Sequence, residues 1–286
     1  QSGASGDLQR SNSLGTARPK HTPTHKQTMK SSQTLLIDVG NTRIKWHLHN
    51  ANTPVLATTS AQAVPHTNQL PHELTAQWRT LPTPDEVRIS HVAQTVLYEQ
   101  LIGLVQQLWG TVHIVRMTPR ATHRWLQLNY DEAQTGSDRY AQLLGARTLN
   151  HSDNLVVIGA GTAITVDAIQ ANGQHIGGII LPSTRLMRTA LHQYTAQLPL
   201  TGGAFSPNDA PHNTLDALHT GAILASVGAI ECFVDTYFAQ TNTQILLCGG
   251  DAPELMSQLQ SLGKLQRISH APALGLLGLL YSESLT

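Results

Sequence analysis

The chain has 286 residues, with 18 Lys+Arg balanced by 18 Asp+Glu; 13% of residues are charged and 40% are hydrophobic. That length gives room for about two domains, and the neutral balance lacks the basic footprint of a nucleic-acid or anionic-membrane binder. Two cysteines outside any CxxC pair, Cys232 and Cys248, exclude a disulfide framework and a cysteine zinc site and fit a reducing cytoplasm.

Residues 1–33 are rich in Ser, Thr, Gly, Lys and His, and five basic residues there face only Asp7. This composition reads as a disordered tail or cloning remnant, with Met29 a candidate natural start. Residues 34–39 form an apolar strand. Residues 43–49 alternate, with Ile44, Trp46 and Leu48 on one face, which predicts a second strand. A weaker strand follows at 54–60, a helix at 68–80 and a strand at 86–92. Leu97, Leu101, Leu104, Val105 and Leu108 at turn spacing predict a helix over 95–109. A strand at 111–115 and a helix at 136–149 close the first half.

The second half begins the same way. Strands are expected at 155–158, 164–169 and 175–181, a helix at 185–196, and a Pro/Gly/Asn-rich loop at 199–212 that could act as a lid. A long helix at 213–240, a strand at 244–247 and terminal helices complete the chain. The longest apolar runs, 221–234 (which contains Glu231) and 271–281, fall short of the ~20 residues of a membrane span and read as buried helices.

Ile37-Asp38-Val39-Gly40-Asn41-Thr42 aligns without gaps onto Ile158-Gly159-Ala160-Gly161-Thr162-Ala163, 121 residues on. Each copy is an apolar strand, a glycine turn and an alternating strand. Either glycine turn alone reads equally as an ordinary hairpin; a pair facing one cleft would bring backbone N–H groups to a phosphate chain from both sides. No G-x-x-x-x-G-K-[ST] loop is present. Gly159-Ala160-Gly161 lacks the third glycine and the following helix of a dinucleotide fingerprint. His21 and His25 lie in the tail, and His47 and His49 share one strand face without companion ligands, so no zinc set is legible.

At these residues the sequence resembles the type III pantothenate kinases, of the acetate and sugar kinase/Hsp70/actin superfamily. The resemblance rests on Asp38-Val39-Gly40-Asn41-Thr42, Gly136-Ser137-Asp138-Arg139 and Gly161-Thr162-Ala163-Ile164-Thr165-Val166-Asp167. It continues through Gly177-Gly178-Ile179-Ile180-Leu181-Pro182, Thr195-Ala196-Gln197-Leu198-Pro199, Asn213-Thr214 with Gly221, and Cys248-Gly249-Gly250-Asp251. It implies an α/β fold of two duplicated ribonuclease-H-like/actin-like domains, residues 34–150 and 151–286, whose mixed sheets flank a nucleotide cleft. The implied reaction is ATP-dependent phosphorylation of pantothenate to 4'-phosphopantothenate, the first step toward coenzyme A, by a cytoplasmic homodimer. The dimer is also read from the two apolar helical runs; no nucleic acid or membrane partner is expected.

The resemblance assigns ATP binding to Asp38, Val39, Gly40, Asn41, Thr42, Arg43, Ile44, Lys45, Gly161, Thr162 and Ala163. Substrate binding falls to Tyr130, Gly136, Ser137, Asp138, Arg139 and Thr214. Asp38 cannot usefully touch a triphosphate except through Mg²⁺ or its waters; its plain alternative is a strand-end cap. Lys45 is either a phosphate charge or a solvated side chain. Asp138 is either the general base or an N-cap residue at the start of its helix, where the helix dipole would keep it ionised. Arg139 offers a planar fork to a carboxylate or phosphate; otherwise it is a helix-surface arginine. Tyr130 has a core alternative, Thr214 a helix-capping one. Asp167 is either a second metal group or a turn residue. Gly249 and Gly250 would let backbone approach adenine or ribose, or would simply end a strand.

The sequence departs from the family at three places. The acid that family members carry before the second glycine turn, linked to a monovalent cation such as K⁺ or NH₄⁺, is Gly159 here. Ser183 replaces the glycine after Pro182, and Asp131-Glu132-Ala133 replaces a proline near Tyr130. These departures keep an alternative open, a non-catalytic nucleotide-binding accessory or regulatory factor on the same fold. Hydrolysis of a phosphate ester or anhydride is a third.

Overall fold

The computed structural model describes residues 32–53, 61–238, 242–263 and 265–282. Most of the expected tail and the strand expected at 54–60 lie outside the described residues. The first half builds one five-stranded sheet from β1 (Gln33–Val39), β2 (Arg43–Asn50), β3 (Gln62–Pro65), β4 (Glu86–His91) and β5 (His113–Arg116), in the order β3-β2-β1-β4-β5. Hairpin neighbours β1/β2 and β2/β3 are antiparallel; β1/β4 and β4/β5 are parallel. Helices α1 (His72–Trp78) and α2 (Thr95–Trp109) make those parallel crossovers. A two-stranded hairpin, β6 (Thr122–His123) and β7 (Leu126–Gln127), leads to α3 (Ser137–Leu149).

The second half repeats the plan. Strands β8 (Asn154–Ala160), β9 (Ala163–Ile169), β10 (His175–Pro182), β11 (Thr243–Cys248) and β12 (Ile268–His270) stand in the order β10-β9-β8-β11-β12. The hairpin pairs are again antiparallel, and β8/β11 and β11/β12 parallel. Helices α4 (Thr184–Tyr194) and α5 (Thr214–Phe238) lie between β10 and β11; α6 (Ala252–Leu262) joins β11 to β12, and α7 (Leu274–Leu280) follows. The sequence repeat is thus a structural duplication, strand for strand. Strand β12 and the β6/β7 hairpin were not anticipated, and α1 is shorter than expected because Pro71 and the positive φ of Asn68 (62°) precede it.

Strand alternation explains the layers. On β1, Leu35, Ile37 and Val39 face α1 and α2, whereas Leu36 faces α3 and α7. On β8, Val156, Ile158 and Ala160 face α5 and α6, whereas Leu155 and Val157 face α3 and α7. Helices α3 and α7 therefore form an apolar layer between the two sheets. They approach closely because a Cβ at Gly145 or Gly278 would run into the other helix's backbone. By the same two-residue period, Asp38 and Gly159 point inward, toward this layer. The runs 221–234 and 271–281, taken as dimer surfaces, are mainly core: Ile223, Val227, Ile230, Phe233 and Val234 are buried in one cluster, Leu274, Leu276 and Leu279 in another. Helix α5 is long and apolar enough to cross a membrane by length and composition, with mean hydropathy 1.6, but half of that stretch is buried in the fold.

Candidate active site

Strand β1 ends where its sheet opens, and the β1–β2 turn closes on itself by Gly40 N–H donating to Arg43 O at 3.0 Å. The β8–β9 turn closes by Gly161 N–H donating to Ala163 O at 3.0 Å. Both turns line one cleft of about 490 Å³, with Asp38, Gly40, Asn41, Thr42, Arg43 and Lys45 on one side and Gly159, Gly161, Thr162, Ala163 and Thr165 on the other. Asp138 and Gln142 from α3, and Gly249, Gly250 and Asp251, complete the wall. Gly249, at φ 107°, sits against the Ala160 backbone, and Asp251 N–H donates to Ala160 O at 3.1 Å. Gly249 thus anchors to the second corner, which a side chain there would prevent. Cys248 is buried, and burial pushes its thiol to about 12, so it carries no nucleophile.

Alternation sorts the first run. Val39 and Ile44 are fully buried in the outer core, so only their backbone can belong to the corner. Lys45 is the cross-strand partner of Asp38 and lines the cleft. Burial raises the Asp38 carboxyl to about 6, the charge of Asp138 adds to this, and Lys45 and a Ser90 hydrogen bond oppose it. Its Oδ1 is buried without a hydrogen-bond partner. An orphaned carboxylate oxygen on a residue that lines the cleft fits a Mg²⁺ bound by one or two carboxylates, waters and substrate. No cluster of three or more His, Cys, Asp and Glu exists among the described residues.

Asp138 occupies the first turn of α3, and its Oδ1 accepts Arg139 N–H at 2.7 Å. A Cβ at Gly136 would lie 2.7 Å from that oxygen, so glycine clears room for the carboxylate. Burial raises the Asp138 carboxyl, outweighing the backbone N–H groups and Arg139 that lower it, with Asp167 adding to the rise. The helix end alone implied the opposite direction; desolvation wins because the group is nearly enclosed.

Ser137 does not face the cleft. Its hydroxyl accepts His91 N–H at 3.1 Å, donates to His91 O at 3.1 Å and lies 3.2 Å from Ser90 Oγ, tying α3 to the end of β4. It is corrected from ligand contact to tether. Arg139 is buried and forks onto Asp167: Nε to Oδ2 at 2.5 Å, Nη2 to Oδ1 at 2.6 Å. His175 Nε2 lies 2.9 Å from the same Oδ1. Asp167, with its oxygens so engaged, is Arg139's anchor rather than a metal ligand. The Tyr130 ring lies 4.7 Å below the guanidinium, and its hydroxyl donates to Gly178 O at 3.1 Å. The ladder Tyr130–Arg139–Asp167–His175 starts at the residue next to Asp138 on α3, and none of its four members lines the cleft. Thr214 opens α5 on the surface beside its cap Asn213, whose Oδ1 accepts Asp216 N–H, and lines neither this cleft nor the cavity beside it.

Sequence reasoning missed Gln142 and Arg185, and gave Asp251 no role beyond its place in the late glycine motif. Gln142 was within reach, since it stands one helical turn after Asp138. Arg185 and Asp251 also line a second cavity of about 450 Å³, between α4, α6 and residues 200–202 of the expected lid.

Two sheets of identical order, each turning at a glycine corner onto one cleft, place the chain in the duplicated actin-like class. Two solved structures share the fold: a protein assigned to the Baf family from Campylobacter jejuni (TM-score 0.53, 18% identity, 86% of this chain and 95% of that one) and one assigned as a 2-dehydro-3-deoxygalactonokinase from Sinorhizobium meliloti (TM-score 0.54, 12%, 87% and 97%). The family model for type III pantothenate kinase matches residues 34–236, and the chain belongs to that family. The type III pantothenate kinase of Dichelobacter nodosus (strain VCS1703A) is 34% identical over 222 residues, 76% of this chain and 87% of that protein. That of Azoarcus sp. (strain BH72) is 37% identical over 236 residues, 79% and 82%.

Proposed function

We propose that the protein transfers the terminal phosphoryl group of ATP to the primary hydroxyl of pantothenate, giving 4'-phosphopantothenate and ADP in the cytoplasm. The observation that carries this reading is the placement of Asp138 on the wall of a cleft whose two ends are the glycine corners. The alcohol oxygen bonds to phosphorus as the bond to the ADP oxygen breaks, and the alcohol proton passes to the Asp138 carboxylate. Such transfer needs positioning and charge neutralisation more than covalent help. Gly40, Asn41, Thr42, Gly161, Thr162 and Ala163 supply donors and close backbone approach to the phosphates, with Lys45 and Arg43 adding positive charge. Asp38 would hold Mg²⁺, which when bound offsets phosphate charge. The cavity beside Gly249 and Gly250 takes the nucleoside. Tyr130, Gly136 and Arg139 would recognise the acceptor, the remaining Nη1 of Arg139 suiting the pantothenate carboxylate.

Monovalent cation dependence has weak support, because the spot beside Gly159 is faced by the neutral Gln142 amide and Thr165 hydroxyl. A homodimer is supported by α4, which buries no residue and exposes Leu186, Leu191 and Tyr194 (87% exposed) near Ile180 (63%). Sedimentation should give twice the chain mass. The central test is ADP release coupled to pantothenate: absence of pantothenate-dependent ADP under any cation would overturn the kinase reading. No observation favours the accessory-factor alternative.

A further inference from the structure

The first glycine corner is gripped from outside by a residue that no motif singles out. After β3 ends at Pro65, His66 is buried. Its backbone N–H donates to Thr42 O at 3.0 Å, and its ring Nε2 lies 2.8 Å from Gly40 O. Its ring Nδ1 accepts the N–H of Asn68 at 3.1 Å. A carbonyl can only accept and a backbone N–H can only donate, so these two partners set the tautomer: Nε2 carries the proton and Nδ1 the lone pair.

We propose that His66 is a positioning residue for phosphate binding, locking the Gly40–Asn41 peptide so that the Asn41 N–H faces the cleft. In a trans peptide the C=O and N–H point in opposite directions. The Gly40 carbonyl is held by the buried His66, which does not line the cleft, whereas Gly40 and Asn41 do. The Asn41 N–H therefore turns inward, where it can donate to a phosphate oxygen. Glycine leaves this peptide free to rotate. A rotated peptide would present the Gly40 carbonyl oxygen to the phosphates, which repels them. The lock must come from a donor outside the turn, and the His66 ring supplies it.

The inference rests on the reading of the Gly40 corner as a phosphate site, and its test uses two isosteric halves of the ring. In His66→Gln the amide nitrogen reaches the Nε2 place and keeps the bond to Gly40 O. In His66→Asn the amide oxygen keeps the bond from Asn68 but leaves Gly40 O without its donor. Calorimetric titration of each protein with ATP and Mg²⁺, without pantothenate, reads the corner directly. His66→Gln should bind near wild-type strength. His66→Asn should bind roughly tenfold or more weakly, the scale of one lost hydrogen bond to a charged group, with the KM for ATP raised and that for pantothenate unchanged. Equal ATP affinity in wild type and folded His66→Asn overturns the proposal, as does His66→Gln binding as weakly as His66→Asn. Should His66→Asn not fold, the Asn41 amide resonance of the wild type decides: it must move on ATP addition, and an unmoved resonance overturns the lock. Wild type that binds ATP but never phosphorylates pantothenate would defeat the kinase reading and leave this inference standing.

Discussion

Asp38 and Gly159 hold the same position in the two halves of the chain, each the last inward-facing residue of the central strand of its sheet, and the helical layer treats them differently. Asp38 faces Gly275 of α7, where a Cβ would stand 3.4 Å from its carboxylate. Gly159 faces Gln142 of α3, whose amide oxygen would stand 2.6 Å from a Cβ there. Duplication thus yields one charged corner and one neutral corner, and the charged one carries a cost in the empty protein.

That cost has a pH signature. Burial lifts Asp38 from 3.8 to about 6, so the folded state holds this proton more tightly than the unfolded chain. The carboxyl costs nothing below pH about 4, destabilises progressively up to pH about 6, and costs a constant amount above that, about 3 kcal/mol by linkage. Asp38→Asn should therefore raise the stability of the empty protein at pH 7 by up to that amount, give little at pH 4, and abolish turnover. Urea melts at the two pH values check this; an equal gain at both would show that the carboxyl is not the source.

Asp138 should show its raised carboxyl in kinetics. A base must be ionised, so kcat/KM should fall with decreasing pH along a limb above the ordinary carboxylate range near 4. Asp38 titrates in the same free enzyme, so the wild-type limb should involve two protons and the pair should be treated as coupled. Asp138→Asn should lose at least ~10²-fold in turnover while retaining ATP affinity. Turnover within a few-fold of wild type would remove Asp138 from the reaction.

The repeat at 121 residues made the duplicated sheets and both glycine corners readable from sequence, because strand period and turn glycines are local signals. The Asp138 helix was legible for the same reason. Pairings that close across the fold were not. Arg139 was read as a ligand fork, yet its fork is taken by Asp167, 28 residues away and one strand over. Ser137 stood in the assigned substrate motif by resemblance, and its hydroxyl bonds the backbone of His91, 46 residues away. His66 follows β3, a four-residue strand without a clear alternating pattern, so nothing local tied it to Gly40.

The Arg139–Asp167 pair is buried and bidentate, so removing one member strands a charge. Asp167→Ala should cost roughly 3–5 kcal/mol, whereas Arg139→Met combined with Asp167→Leu should recover most of that stability without restoring activity. Denaturant melts of the three proteins decide it. A double variant no more stable than Asp167→Ala would mean that the ladder through Tyr130 and His175, rather than the charge, holds this region.

Gly159 should set the response to monovalent cations. In the resembling family an acid at this place is linked to K⁺ or NH₄⁺; here the two groups nearest a Cβ are the Gln142 amide oxygen and the Thr165 hydroxyl, at 2.6 and 2.7 Å. Neutral oxygens alone bind a monovalent ion weakly against water, because no fixed charge offsets its desolvation. The rate should accordingly be the same in potassium, ammonium, sodium and choline salts at fixed ionic strength. Gly159→Asp alone overpacks against Gln142, at a cost of about 1–3 kcal/mol. Combined with Gln142→Ala, which clears the space, it places a carboxylate opposite Thr165 and should confer activation by potassium over choline. Strong potassium activation of the wild type would show that neutral oxygens suffice at this corner, and would overturn the account of what glycine does there.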